Sequence, residues 1–173
     1  MNHPTITFFI SSLTGGGAEN VFVVVANEFA KRGFAVDFLI IRSKDEQVRK
    51  LDERIRLINF SKKRLWNALP SLTSYLFKNK PKVLFGGMYD ASLIGLLAKL
   101  LSISSVKVIP TIQNTFFKYL STPIFKNIIS KVLAQLLFPL APTIICVSKG
   151  VAQNLKSKLW MKAAIRVIYN PID

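Results

Sequence analysis

Three consecutive glycines near the start of the sequence are the clearest candidate for a chemical role. Gly15, Gly16 and Gly17 follow a short apolar run at residues 7–10. A glycine loop between a strand and a helix leaves backbone N–H groups free to bind an anion, and the helix N-terminus adds a favourable dipole. We therefore expect this loop to lie at the ligand-binding end of the fold.

The segment after the glycines predicts a helix over residues 21–32, although residues 21–25 alone would pass for a strand. Its apolar residues, among them Phe22 and Phe29, recur at helical spacing. Glu19 falls in the first turn, where the helix dipole favours an acid, and Gly33 can end the helix in a left-handed conformation. A strand, a glycine loop and a helix are thus expected in this order.

The remaining chain alternates apolar runs with helical patterns. Further strands are predicted at residues 36–41, 54–60, 83–85, 106–112, 143–147 and 165–169, and helices at residues 65–78, 91–101, 124–137 and 149–159. The strand at 54–60 alternates strictly and is expected near a sheet edge. Strands separated by helices imply a parallel sheet covered on both faces. The prediction is a single α/β domain over residues 1–173, with a doubly wound, Rossmann-like sheet of about seven strands.

Two residues carry specific local expectations. Asp90 follows the short strand at 83–85 and is predicted to cap the helix that begins at residue 91, which explains it better than a catalytic role. Pro110 lies inside the strand at 106–112, where it predicts a bulge or a strand end.

Composition excludes several classes of chemistry. The 173 residues contain one cysteine, Cys146, and one histidine, His3. These cannot assemble a zinc site or a catalytic triad, and a buried thiol in a reducing compartment is the expected role of Cys146. We find no uninterrupted apolar stretch long enough to span a bilayer and no signal peptide.

The positive charge is concentrated in the later part of the chain. Residues 54–173 hold 18 basic residues against two acids, and no acid lies between Asp90 and Asp173. Such a bias attracts phosphates, anionic lipid or nucleic acid without distinguishing among them.

A dinucleotide-binding enzyme is the first alternative that the glycines suggest. Its fingerprint requires a third glycine where Asn20 stands, and an acid after the second strand, where Arg42 and Ser43 stand instead. Both departures argue against such a cofactor.

A basic and aromatic segment at residues 116–131 has two explanations. Lys118, Lys126 and Lys131 could meet the phosphates of an acceptor or of membrane lipids while the neighbouring aromatic side chains lie at the headgroup level. Alternatively, the segment contains a core helix whose solvated edge carries the lysines. Nucleic-acid binding is a further use of the charge, but the sequence shows no recognisable nucleic-acid motif.

Four segments in register resemble the amino-terminal half of family 4 glycosyltransferases, which have the two-domain GT-B fold. They are residues 13–20 with the glycine loop, 111–115 at a strand end, 145–148 with a serine opening the last helix, and 167–173 with its Asn-Pro-Ile-Asp sequence. The resemblance spans essentially the whole chain.

The resemblance implies substrate-binding positions and a mechanism. Gly15, Gly16 and Gly17 would belong to a loop near the diphosphate of a nucleotide-sugar donor, and Glu19, Gln113, Asn114 and Ser148 would be further substrate-binding residues of the cleft. Transfer would be retaining and metal-independent, with no cofactor and with basic groups from a second domain. Many members place a histidine at the position of Gln113, and a glutamine there cannot accept a proton at neutral pH.

We therefore expect the acceptor-binding half of a hexosyltransferase that builds lipid-linked or cell-surface polysaccharide. The donor-binding carboxy-terminal domain would lie beyond Asp173, and the chain alone would not transfer sugar. The rival hypothesis is a non-catalytic acceptor-binding or membrane-binding subunit of a split enzyme; a nucleic-acid-binding module is a lesser one. The expected location is the cytoplasm, at the inner face of the membrane.

Overall fold

The computed structural model describes residues 5–43, 45–114, 124–159 and 163–171. Seven strands are present: β1 (Ile6–Phe9), β2 (Val36–Ile40), β3 (Arg56–Asn59), β4 (Val83–Gly87), β5 (Lys107–Ile112), β6 (Thr143–Cys146) and β7 (Ala164–Val167). The helices of this part of the chain are α1 (Gly17–Lys31), α2 (Asp45–Val48), α3 (Leu69–Asn79), α4 (Met88–Leu101), α5 (Ile124–Leu137) and α6 (Lys149–Lys158). Short 3-10 turns, Leu65–Ala68 and Phe138–Leu140, precede α3 and follow α5.

The strands form one parallel sheet in the order β3-β2-β1-β4-β5-β6-β7. Strand order reverses between β1 and β4, which defines the topological switch point of a doubly wound sheet. The predicted fold class and strand number are confirmed, and β3 lies at the sheet edge as its alternating pattern indicated.

Each face of the sheet has its own apolar core. On the first face, Phe8 of β1 and Phe38 of β2 pack against Phe22 and Val23 of α1. The rings of Phe22, Phe38 and Phe85 pack around the ring of Phe8. Their centroids lie 5.2 to 6.0 Å from the Phe8 centroid, a range typical of favourable aromatic pairs. On the second face, α3, α4, α5 and α6 cover the sheet with an aliphatic core. Helices therefore lie on both faces, as predicted.

Helix α1 begins four residues earlier than predicted, at Gly17. The difference arises because Glu19, placed at the third helical position, turns back and binds the backbone N–H of Gly16, which stabilises an additional first turn. Gly33, with φ of 84°, follows the helix in the left-handed conformation that the sequence indicated.

The predicted capping role of Asp90 is wrong. Helix α4 begins at Met88 with Gly87 as its cap, so that Asp90 lies inside the first turn. Strand β4 continues through Gly86 and Gly87, and the chain enters the helix without an intervening loop.

The expected effect of Pro110 is also wrong, since this residue lies inside the central strand β5, opposite Gly86 of β4. Pairing between β5 and β6 starts only at Thr111. The missing N–H of Pro110 therefore falls beside a stretch where β5 has not yet begun to pair with β6.

A buried polar network joins the starting ends of three strands to α3. Asp37 of β2 accepts hydrogen bonds from Nε and Nη2 of Arg56 at 2.8 and 2.5 Å, and from the hydroxyl of Tyr75 at 2.5 Å. The Tyr75 hydroxyl also lies 2.9 Å from Oγ1 of Thr7. Burial and the bond to Asp37 raise the pKa of Tyr75 above its ordinary value. This network lies at the edge of the sheet opposite the strand ends that carry the predicted site.

Candidate functional site

The predicted site segments meet at the carboxyl ends of the strands. The glycine loop follows β1, while Gln113 and Asn114 follow β5, and Ser148 follows β6. In doubly wound sheets, ligands bind in the crevice outside these strand ends, at the switch point. The fold thus brings the positions named from the sequence to one edge.

The backbone of the glycine loop is held by the carboxylate of Glu19. Its Oε2 accepts from the backbone N–H groups of Thr14, Gly15 and Gly16 at 2.5, 2.7 and 3.1 Å, and its Oε1 accepts from the Ser12 hydroxyl at 2.6 Å. Glu19 is only 6% exposed. Gly15 has φ of 106°, which permits the loop to close around the carboxylate.

These bonds fix the charge state of Glu19. Burial alone would raise its pKa, but the hydrogen bonds from Ser12 and from the N–H groups of Thr14, Gly16 and Gly15 lower the pKa below its ordinary value. Glu19 is therefore an anion at neutral pH, and its carboxylate accepts the hydrogen bonds of the loop N–H groups.

The N–H groups left for a ligand are consequently those of Gly17 and Ala18. No hydrogen bond to either is found within the described residues, as is usual for the first turn of a helix. Gly17 is exposed, and a Cβ at this position would meet nothing within 4 Å. Any anion at the loop would meet these two N–H groups and the positive end of the α1 dipole.

On the β4 side of the switch point, the backbone at Gly86 and Gly87 lies very close to neighbouring residues. A Cβ on Gly87 would lie 2.4 Å from Cγ2 of Ile10 and 3.1 Å from Cε1 of Phe22, and one on Gly86 would lie 2.7 Å from Cα of Ser92. Met88 follows with φ of 65°, which is rare for a residue with a side chain. Such strained positions cluster at functional sites.

Gln113 lies between two cavities of the crevice. Its Oε1 accepts from Nδ2 of Asn170 at 3.4 Å, which joins the end of β5 to the segment after β7. Its Nε2 atom is buried and has no hydrogen-bond partner within the described residues. A buried amide donor without a partner is costly unless a ligand or water satisfies it.

The larger cavity, of about 240 Å³, is almost entirely apolar. It lies between α1 and the first face of the sheet, where β5 to β7 have no covering helix in the part of the chain described. Its lining residues come from α1, the central strands and the segment after β7, and include Val21, Val25, Phe85, Ile145, Val147 and Tyr169. The smaller cavity lies against Met88, Tyr89, Asn114 and Asn154.

Ser148 has the structural role that its position predicted. Its Oγ accepts from the backbone N–H of Val151 at 3.1 Å and so caps α6. The substrate-binding roles of Ser148, Asn114 and the glycines remain predictions.

Asp90 has an environment that the sequence did not reveal. Burial raises the pKa of its carboxyl group, and within the described residues no hydrogen bond or ion pair to that group is found. It lies in the first turn of α4, three residues beyond Gly87 at the switch point. Since perturbed pKa values cluster at functional sites, Asp90 is a candidate for a functional role that a substitution can test.

Of the three predicted phosphate-binding lysines, one has a described side chain. Lys131 is exposed on α5, whereas Lys118 and the side chain of Lys126 lie outside the described residues. Across the described ranges, no group of three or more acidic, histidine or cysteine side chains could hold a metal ion. Cys146 is buried, and burial raises its pKa to about 11.

Comparison with known proteins identifies the family. The profile described as Glycosyltransferase Family 4 matches residues 15–173. The chain belongs to glycosyltransferase family 4. The resemblance noted from the glycine loop and the Asn-Pro-Ile-Asp segment is thereby confirmed.

Solved structures share the fold of this family 4 chain at low sequence identity. HepE from Anabaena, solved with UDP and glucose, is 15% identical with a TM-score of 0.73 over 99% of this chain and 45% of its own. The lipopolysaccharide outer core galactosyltransferase WaaB is 14% identical with a TM-score of 0.69, over 98% of this chain and 46% of its own. A glycosyltransferase from Rickettsia africae is 18% identical with a TM-score of 0.69, over 100% and 44%. The chain thus spans a little under half the length of these GT-B proteins.

Two negative findings concern curated sequences and membrane-spanning helices. No curated protein sequence matches it. Among the described helices, none combines the length and the apolar character needed to cross a bilayer.

Proposed function

We propose that this family 4 chain is the acceptor-binding domain of a retaining, nucleotide-sugar-dependent hexosyltransferase that acts in lipid-linked or cell-surface polysaccharide synthesis. The observation that carries the proposal is the buried, unpartnered Nε2 of Gln113 in the crevice of a GT-B-like sheet. A saccharide hydroxyl is the kind of acceptor that such an amide donor needs.

Gln113 would orient the acceptor rather than deprotonate it. Its amide is held by Asn170 on one side and offers Nε2 on the other, and an amide has no proton-accepting nitrogen at neutral pH. The proposed division of roles therefore leaves charge stabilisation at the donor phosphates to other groups. On this chain, the N–H groups of Gly17 and Ala18 at the start of α1 would provide part of it.

The donor-binding partner is a second domain or a separate subunit. Support comes from the length of the relatives, each about twice the part that this chain matches. The apolar cavity beside Tyr169 and Pro171 gives such a partner a surface on which to pack, next to the segment that would lead into it. Titles of relatives that mention UDP, glucose or lipopolysaccharide outer core support, by analogy, a nucleotide-sugar donor and a surface-saccharide acceptor.

The test is a transfer assay on the full-length product of the encoding gene, with a panel of nucleotide sugars and lipid-linked or free saccharides. We expect nucleoside diphosphate release that depends on the acceptor, with retention of anomeric configuration seen by proton NMR. Gln113→Ala should raise the acceptor KM about tenfold, the loss expected for one buried hydrogen bond. Gln153→Ala, at an exposed position on α6, is the matched control.

Several outcomes would decide between the proposals. Acceptor binding without transfer, restored by a separate donor-binding protein, would favour the split-subunit alternative. An inverted product would refute the retaining mechanism, and an unchanged acceptor KM for Gln113→Ala would refute the assigned role of Gln113.

A further inference from the structure

The outward face of α5 is apolar where a solvated helix would be polar. Ile129, Val132 and Leu136 are 47%, 52% and 64% exposed, and Leu140 in the following turn is 47% exposed. Their spacing of three or four residues places them in one stripe along the helix. The inward face is also apolar, because Ala134, Leu137 and Phe138 belong to the core.

A helix that is apolar on both faces is normally covered on both. In α5 only the inward face is covered by described residues, and the outward stripe runs from Ile129 to the end of the helix. Since α5 leads from the crevice end of β5 to the start of β6, this stripe continues to the edge of the sheet opposite the crevice.

A second apolar cluster lies at that opposite edge, where α3 and α4 end. Phe77 of α3 and Leu101 of α4 line the same groove and are 63% and 57% exposed. Just beyond, Ile103 is 94% exposed with φ of 49°. A β-branched residue in the left-handed region is strained, and exposing it to water adds a second unfavourable feature.

The charge around both clusters has one sign. Lys78, Lys80, Lys82 and Lys107 are exposed at the ends of α3, β4 and β5, and Lys131 is exposed on α5. Within the described residues, none of these lysines forms an ion pair. The sequence has no acid at residues 54–89 or 91–172. Two acids from earlier in the chain, Asp37 and Asp52, lie at the same edge of the sheet, but their carboxylates are paired with Arg56 and Arg54.

We propose that the outward face of α5, together with the ends of α3 and α4, contacts an anionic lipid bilayer. Exposed aliphatic and aromatic side chains would enter the headgroup and acyl boundary, while the lysines meet lipid phosphates. Charge complementarity favours a lipid surface over a protein with a mixed-charge interface.

This arrangement deepens the proposed function, on which its biological meaning rests. A bilayer lying along α5 reaches the edge of the sheet at which the crevice opens. A lipid-linked acceptor could then extend from the membrane into the crevice without leaving the bilayer. The sequence assigned membrane contact to the lysines and aromatic residues of the segment 116–131; the surface proposed here shares only the later part of that segment and adds the ends of α3 and α4.

The experiment is co-sedimentation of the chain with vesicles made of equal parts of phosphatidylcholine and phosphatidylglycerol, compared with phosphatidylcholine alone. Val132→Asn with Leu136→Gln should lower the partition coefficient about tenfold, because two apolar side chains no longer enter the lipid. Lys80→Glu with Lys82→Glu should lower it about tenfold at low salt and much less at high salt. Ile103→Gly should weaken binding while raising the melting temperature, since glycine relieves the left-handed strain.

Two matched controls exclude general effects of polarity and charge. Val24→Asn removes an exposed apolar side chain from α1 on the other face, and Lys63→Glu with Arg64→Glu makes the same charge change after β3, at the side of the sheet far from α5. Both should bind vesicles nearly as well as the unmodified chain. Equal losses in the Lys63/Arg64 and Lys80/Lys82 variants would show that only net charge matters and would overturn the proposal.

Other results would identify a different partner. Tighter binding to RNA or duplex DNA than to vesicles, lost in the Lys80/Lys82 variant, would make the surface a nucleic-acid site. A dimer that the α5 variant dissociates, with vesicle binding unchanged, would make α5 a self-association face. Because vesicle binding needs no sugar transfer, failure of this proposal and failure of the proposed transferase function are measured separately.

Discussion

Gly87 at the end of β4 lies so close to Ile10 after β1 that a methyl group on Gly87 would stand 2.4 Å from Cγ2 of Ile10. This contact leaves no space for a side chain at the switch point, on the face of the sheet that α1 covers. Alanine cannot fit without displacing the buried Ile10 or the ring of Phe22.

Replacement of this glycine should therefore be severe. Gly87→Ala is expected to reduce the free energy of unfolding by about 2–3 kcal/mol, measured by urea denaturation, because overpacking forces core side chains to move. Gly17→Ala is the matched control: it has open space and a helical position, so stability should be unchanged or slightly higher. Similar losses in both variants would contradict this explanation.

Glu19→Gln should loosen the glycine loop. An amide oxygen in place of Oε2 can still accept from the three N–H groups while the N–H₂ faces the Ser12 hydroxyl, but the bonds lose their negative acceptor. The loss is expected to be about 2 kcal/mol of unfolding free energy at pH 7. Glu28→Gln, at an exposed acid of the same helix, should have little effect.

The pH dependence of Glu19 has a defined sign. Its folded pKa is lowered, so its contribution to stability is present above the unfolded value of 4.5 and is lost as the pH falls through the folded pKa. Unmodified protein should therefore lose more stability between pH 7 and strongly acidic pH than Glu19→Gln does, in denaturation curves recorded across that range.

Asp90→Asn should act in the opposite direction. Its folded pKa is raised by burial, so its contribution favours folding below the unfolded value of 3.8 and is lost as the pH rises through the folded pKa. At pH 7 the asparagine variant is expected to be more stable by about 1 kcal/mol, because no charge remains to be desolvated. A loss of acceptor binding at unchanged or higher stability would mark Asp90 as functional. Destabilisation at pH 7 would refute the assigned environment.

The network at the other edge of the sheet should be purely structural. Asp37→Asn is expected to cost about 2 kcal/mol of unfolding free energy, since the partly exposed guanidinium of Arg56 and the buried hydroxyl of Tyr75 lose their anionic acceptor. Asp52→Asn, which changes an exposed pair with Arg54, should alter stability little. Acceptor affinity, measured by saccharide titration at a temperature where both variants are folded, should be unaffected in each.

The sequence predicted the architecture because its signals are local. The spacing of Phe22 and Phe29, the cap at Ser148 and the alternation in β3 each depend on residues a few positions apart. The start of α4 was misassigned because Asp90 has high capping preference, whereas β4 continues through Gly87 and leads directly into the helix at Met88. The close approach of Gly87 to Ile10 joins distant residues and cannot be inferred from neighbouring positions.

Most of the candidate site could not be predicted from the sequence, because it also depends on contacts that form only in the folded chain. Gly15 and Gly16 were expected to offer N–H groups to a ligand, and only the folded loop shows that Glu19 already binds them. The pairing of Gln113 with Asn170 joins residues 57 positions apart. The apolar outward face of α5 is unreadable from sequence, because periodicity does not say which apolar face meets the core.

The strand order delays the pairing of β1 during synthesis of the chain. β1 lies at the centre of the sheet, yet 74 positions separate its last residue from the first residue of its neighbour β4. At typical rates of synthesis the ribosome needs roughly 4 to 15 s to make that length, and during this interval the edge of β1 that pairs with β4 has no native partner. The nascent amino-terminal part therefore exposes an unpaired strand edge, which is prone to mispair until β4 is made.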